Sequence, residues 1–346
     1  MGTIFFNIDV LGKGGCNLTC PSCPVGNSRE IDNPKGLMSL ETLERIVLKA
    51  ESECDIDGFG LFNWTEPLLH PKLPELIRIV TSRGHRCDLS SNLNLIKNID
   101  DILLARPTNF RISCSGFRQE TYGLTHRGGD IEKVKANMAE LARAKKRCGV
   151  PVAIQVLFHR YNHNLQDEPL LKAYSESLGF EFVPVWAFFM PLEKVMAAYT
   201  GDKSWGEITP ADRELLSRLL LPVDEALEAA QRVGQKTCRM QELEITLDFN
   251  GDVMLCCGVY DASRFTVGNY LTDSFSTIQS RKFASSTCTK CMKAGVHVYY
   301  TYWAPEFEQI ARRNADRQDA AVLEATTAFQ DNEFHIANVR KAGNAG

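Results

Sequence analysis

Cys16, Cys20 and Cys23 stand at C-x3-C-x2-C spacing in the run Cys16-Asn-Leu-Thr-Cys-Pro-Ser-Cys23. Thiolates are soft ligands. Three of them on so short a loop can wrap one iron–sulfur cube and leave its fourth iron open to bind and reduce something. Zinc is the competing reading of a C-x2-C pair, but structural zinc asks for a nearby fourth Cys or His, and residues 24–40 supply neither. A second set lies far along the chain: Cys238, Cys256, Cys288 and Cys291. Four thiolates can close a second cube completely, and they can equally make an all-thiolate zinc site. Cys257 is left over beside Cys256, and on a strand or its end two adjacent thiols turn in different directions. Its readings are a hydrogen-atom donor, an alternative ligand or a buried small hydrophobe. Cys54, Cys87, Cys114 and Cys148 are scattered and read as buried small hydrophobes.

The elements that must hold these loops are legible as an alternation. A β-rich run, Ile4–Val10, delivers the chain into the Cys16 loop. A helix capped by Ser39 follows, then a strand at 58–64, a helix at 73–82 stopped by Gly84, and a strand at 86–90. Helices at 99–104, 131–146 and 168–178 then alternate with strands at 110–115, 152–158 and 180–186. Six strands separated by helices imply a mostly parallel sheet with ligands at the strands' C-terminal ends. After Pro191 the rhythm becomes polar and helical. Leu243–Leu247 and Asp252–Cys256 then flank Asn250-Gly251, a hairpin signal. The expected organisation is a barrel over 1–195, a helical linker over 196–237, an auxiliary domain over 238–300 and a helical tail over 301–346, with an aromatic segment at Val298–Trp303.

The first cysteine motif, placed after the first strand, resembles that of the radical S-adenosylmethionine (SAM) superfamily. The resemblance implies an α/β fold, a partial (β/α)6 barrel, followed here by a small α+β auxiliary-cluster domain of the Twitch form of SPASM. It also implies that SAM chelates the open iron, and that electron transfer yields a 5′-deoxyadenosyl radical able to abstract hydrogen. Phe62-Asn-Trp-Thr-Glu-Pro67 looks like the family's Gly-Glu-Pro segment, with Glu66 meeting the SAM amino group and Thr65 in the usual glycine position. Ser22 stands where the family often has an aromatic. Ser90, Asn92, Ser113 and Ser115 end the third and fourth strands where the family contacts SAM, and helix capping is their plainer role. Thr125-His-Arg-Gly-Gly129 resembles a segment of the sugar-associated branch and places Arg127 among the cofactor-binding candidates. The second set resembles that of 2-deoxy-scyllo-inosamine dehydrogenase and related sugar epimerases. Two 4Fe–4S clusters and SAM are the implied cofactors, with a flavodoxin or ferredoxin as electron donor.

Composition narrows the partners. The chain has 346 residues, 24% charged and 44% hydrophobic, with a formal net charge of −4. No basic field invites nucleic acid, and neither a secretory signal nor a membrane span is evident, so a cytoplasmic enzyme acting on a small molecule or peptide is expected. The leading expectation is abstraction at a carbinol carbon of a sugar, aminoglycoside or cyclitol, with Cys257 returning hydrogen to give an epimer. Dehydrogenation with the auxiliary cluster as electron acceptor is the alternative outcome. Peptide maturation is a third reading, disfavoured because the first strand begins almost at Met1 and leaves no leader-binding domain before it. A zinc-stapled binding protein is the fourth. Arg111, His159, Tyr161, Trp186 and Glu193 are candidate substrate contacts because strand ends line the active mouth.

Overall fold

A computed structural model describes residues 2–301 and 304–317. Six parallel strands run β1 (Ile4–Ile8), β2 (Ile56–Gly60), β3 (Cys87–Ser91), β4 (Asn109–Ser113), β5 (Ala153–Arg160) and β6 (Glu181–Trp186). Their order in space is their order in sequence, as successive crossovers of one hand require. The crossovers contain α1 (Leu40–Glu53), α2 (Leu73–Thr81), α3 (Ile99–Leu104), α4 (Ile131–Cys148) and α5 (Glu168–Ser177).

Local chemistry sets these helices. Ser39 accepts from the Thr42 N–H and starts α1, which buries Leu43, Ile46, Val47 and Ala50 against the sheet. Asp130 accepts from the N–H groups of Glu132 and Lys133 at the head of α4. Gly149 ends α4 in the left-handed conformation at φ +63°, which costs a residue without Cβ nothing. All five residues of β1 are buried, so the strand that feeds the first cysteine loop is fixed on both faces.

The hairpin extends this sheet. β7 (Glu244–Leu247) pairs in parallel with β1, in the register Phe5↔Glu244 and Asn7↔Thr246. β8 (Asp252–Met254) and β9 (Thr266–Asn269) then add antiparallel. The result is one mixed nine-stranded sheet, ordered β6-β5-β4-β3-β2-β1-β7-β8-β9, which does not return on itself. The six parallel strands expected are present, and where a partial barrel followed by a separate small domain is expected, the later strands continue the same open mixed sheet because the free edge of β1 demands a partner.

Two apolar clusters form. One lies between the parallel strands and α1–α5. The other gathers α6 (Leu192–Thr200), α7 (Val223–Val233), α8 (Ser286–Ala294) and α9 (Val296–Thr301) around Cys238, Cys256 and Cys291. The aromatic segment expected at 298–303 is the second half of α9; Tyr302, Trp303 and the tail beyond 317 lie outside the described residues.

Candidate active site and second cysteine centre

At the C-terminal ends of the parallel strands lies a cavity of about 310 Å³. Cys16, Cys20 and Cys23 all reach it from the loop after β1. Burial pushes the Cys16 thiol up to about 11 and the Cys20 thiol to about 12, and it raises Cys23 well above the usual thiol range. Charge on each also disfavours charge on its neighbours. Three thiols in one buried place become thiolates only beside a compensating cation, the condition a metal cluster meets.

Glu66 enters from the turn after β2. Its carboxylate accepts from Asn92 N–H at 2.7 Å and Leu68 N–H at 3.0 Å. Burial nevertheless raises it to about 7. Its own N–H donates to Gly15 O, tying this turn to the residue before Cys16. Thr65, in the glycine position, is not strained: among the described residues the non-glycine positions with positive φ are Leu93, Asn98 and Arg106.

Ser90, Asn92, Ser113 and Ser115 all line the cavity. Asn92 also reaches the first cysteine loop, donating to Asn17 Oδ1 at 2.9 Å and lying 3.8 Å from Cys16 Sγ. Ser115 Oγ accepts from His159 N–H at 3.1 Å. Ser22 lines the cavity beside Tyr161. Arg127 does not line it: the side chain is exposed, its backbone carbonyl accepts from Thr19 N–H, and its charge lowers the Cys20 thiol. His126, one residue earlier, is the member of that segment that faces inward. It stacks on Tyr122 at 4.5 Å, and burial lowers it to about 3.

Of the strand-end candidates, Arg111, His159 and Tyr161 line the cavity. Trp186 and Glu193 do not. The Trp186 indole donates to Glu308, and one Glu193 oxygen accepts from the N–H groups of Tyr260 and Asp261. Both are pinned into the helical region by their own hydrogen bonds.

Cys257 is half-buried and reaches the same cavity as the first three cysteines. Its thiol lies 3.5 Å from Met240 Sδ and is hydrogen-bonded to Glu244, which in turn accepts from Asn7 at 2.9 Å. Burial raises this thiol well above its ordinary value.

Cys238, Cys256, Cys288 and Cys291 come together across more than fifty residues of sequence. The charge of each of the other three would raise the Cys291 thiol, after burial itself. Lys282, completely buried, points its ammonium among them, donating to Met240 O and Glu244 O; the thiolates and Glu244 would favour its charge against burial. All twelve cysteines are free of disulfides. Among the described residues no three His, Cys, Asp or Glu side chains close into a preformed single-ion shell. The fit to two clusters therefore rests on the donor set: two groups of soft ligands, one of three beside an open cavity and one of four within an apolar core.

Sequence reasoning missed Asp9, Asn7, His126 and Lys282. Asp9 carried a signal, an acidic residue at the end of an otherwise apolar strand. Lys282 carried none, since nothing in its neighbourhood in sequence marks a buried lysine.

Residues 12–163 match the family described as the radical SAM superfamily. No curated protein sequence matches the chain. Among solved structures, native anSMEcpe with bound AdoMet overlays with a TM-score of 0.55 at 17% identity, covering 99% of this chain and 100% of that one. The same protein with AdoMet and the Cp18Cys peptide gives 0.53 at 17%, covering 99% and 98%. Streptococcus suis SuiB bound to its precursor peptide SuiA gives 0.54 at 12%, covering 85% of this chain and 66% of that one. Residues 12–163, which hold the first cysteine loop and β2 to β5, thus carry the match to the radical SAM superfamily, and the chain shares the fold of these solved structures.

Proposed function

We propose that the chain binds one 4Fe–4S cluster through Cys16, Cys20 and Cys23 and a second through Cys238, Cys256, Cys288 and Cys291, and that it removes a hydrogen atom from a substrate C–H bond. Bound together, the first cluster and SAM supply the 5′-deoxyadenosyl radical for that abstraction. The observation that carries the reading is one cavity lined at once by the three-cysteine loop, Glu66, the polar ends of β3 and β4, and the free thiol of Cys257.

Each residue has a share in this. Glu66 accepts a hydrogen bond from the SAM amino group while Asn92 and Leu68 hold its carboxylate still. Ser90, Asn92, Ser113 and Ser115 offer hydroxyl and amide groups to the polar parts of SAM. Arg111 and neutral His159 orient the substrate, and the Phe62 ring, 5.8 Å from the Arg111 guanidinium, keeps that cation from folding away. Cys257 gives a hydrogen atom to the carbon radical, so that a centre opened on one face is closed on the other.

For the substrate, a peptide now stands ahead of a carbinol. anSMEcpe with the Cp18Cys peptide and SuiB with its precursor peptide share this fold across most of the chain. The carbinol reading keeps the polar lining of Arg111, His126 and His159 in its favour.

The test is anaerobic reconstitution, an iron and sulfide count, and 5′-deoxyadenosine assay with dithionite and SAM against panels of peptides and aminoglycosides in D2O. About eight irons per chain are expected for two cubes. Deuterium should enter an isomeric product, and the C257A variant should abolish that label. A product lighter by two hydrogens would replace epimerisation by dehydrogenation. A zinc-loaded protein without SAM cleavage would sink the proposal.

A further inference from the structure

The segment that leads into Glu66 has no glycine to let it turn freely, and its shape is imposed from β1. Asp9, the residue after that strand, aims its carboxylate into the turn. One oxygen accepts four hydrogen bonds: from the N–H groups of Asn63 at 3.2 Å, Trp64 at 2.9 Å and Thr65 at 2.9 Å, and from the Thr65 hydroxyl at 2.7 Å. The other oxygen accepts from Trp64 N–H at 3.2 Å. Trp64 then carries the anchor onward, its indole N–H donating to Val259 O at 3.0 Å, two residues past Cys257.

Asn63, Trp64, Thr65 and Glu66 all line the cavity. A carboxylate that gathers successive backbone N–H groups fixes their dihedrals, because each bond is charge-assisted and lost if the chain rotates. The hydroxyl of Thr65 is one of those donors, so the departure from glycine is part of the device.

We infer that Asp9 is the positioning residue of the SAM-binding turn: its carboxylate, with the Thr65 hydroxyl, sets the backbone that points Glu66 at the SAM amino group. This rests on the proposed role of Glu66. Asp9 touches neither the reacting atoms nor the cysteines, and acts through the turn.

The experiment uses the reconstituted holoprotein. Iron is counted, SAM affinity is measured by equilibrium dialysis, and the SAM dependence of dithionite-driven 5′-deoxyadenosine release is resolved into KM and kcat. D9A should keep its iron while Kd and KM for SAM rise about tenfold or more and kcat stays near wild type. D9N retains an acceptor oxygen in the same place and should stay within about twofold of wild type. T65V, which removes only the hydroxyl donor, should weaken SAM about threefold. D9A binding SAM like wild type, or D9N failing as badly as D9A, would overturn the inference. Should D9A fail to hold iron, T65V decides, and an unchanged affinity there counts against it. Wild-type holoprotein that binds no SAM would instead bring down the functional reading, and this inference with it.

Discussion

His159 enters the cavity as a neutral ring. Burial alone holds it down at about 4, and its Nδ1 lies 3.4 Å from Ser115 Oγ. A group with that history orients a substrate through hydrogen bonds and carries no charge at neutral pH. It also leaves a mark on stability. Its folded pKa lies below the ordinary value of 6.5, so the unfolded chain takes up the proton first. The stability it confers is complete above pH 6.5 and is lost as pH falls toward 4. The two ends of that window differ by roughly 3 kcal/mol. Urea unfolding of the apoprotein at pH 7.5 and pH 4.5 should show the gap between wild type and H159Q closing by about that amount, roughly 3 kcal/mol. A gap that stays constant would mean that the ring is hydrated in solution. His159 was legible because a polar residue near the end of an apolar strand stands out. His126 was legible only as part of the segment Thr125–Gly129, and a five-residue stretch cannot reveal which member turns inward.

One residue further along β5 the side chain points the other way, as strand geometry requires. Arg160 is fully buried against α5, where it meets Glu168 in two bonds of 2.7 and 2.6 Å and lies 4.9 Å from the Trp186 ring. Removing one partner strands the other in an apolar setting. R160M should therefore cost about 3–5 kcal/mol, whereas the R160M/E168M double variant should recover most of it, because a buried ion pair is weak relative to apolar packing of similar volume. Urea midpoints of the three proteins check this; a single-variant loss below about 1 kcal/mol would show a hydrated pair. The sequence announces neither partner: both sit in segments that read as amphipathic, and a charge at a core position looks like a surface charge until the fold brings its opposite. The alternation of β and α was legible because short strand-like runs are bounded by turn residues and because α1 and α4 carry caps at Ser39, Asp130 and Gly149. The pairing of β7 with β1 was not. A hairpin signal is local, and which edge it joins depends on an edge more than two hundred residues away.

The pairing of β7 with β1 decides how the molecule holds together. The parallel strands end in sequence at Trp186, and everything after the helical stretch could be taken for an independent unit that merely carries the second cysteine set. The hydrogen bonds argue otherwise. β1 donates and accepts on both sides, to β2 and to β7, and Asn7 on its cavity face holds Glu244 of β7, which in turn contacts Cys257. Lys194 of α6 donates to Asn27 O just past the first cysteine loop while paired with buried Asp212, so the helical stretch also clamps that loop. A fragment of residues 1–237 would therefore expose one full edge of the strand that delivers the cysteine loop, with an unpaired apolar ladder beside it. We expect this fragment to lack a cooperative urea transition and to aggregate when expressed alone. Adding back residues 238–317 in the same chain should restore a single transition followed by circular dichroism. A 1–237 fragment that unfolds cooperatively and still takes up about four irons would show that the first six strands stand alone and that the continuity of the sheet is incidental. The opposite result would tie the two centres into one folding unit, in which Cys257 reaches the first cavity because β7 belongs to the sheet that builds it.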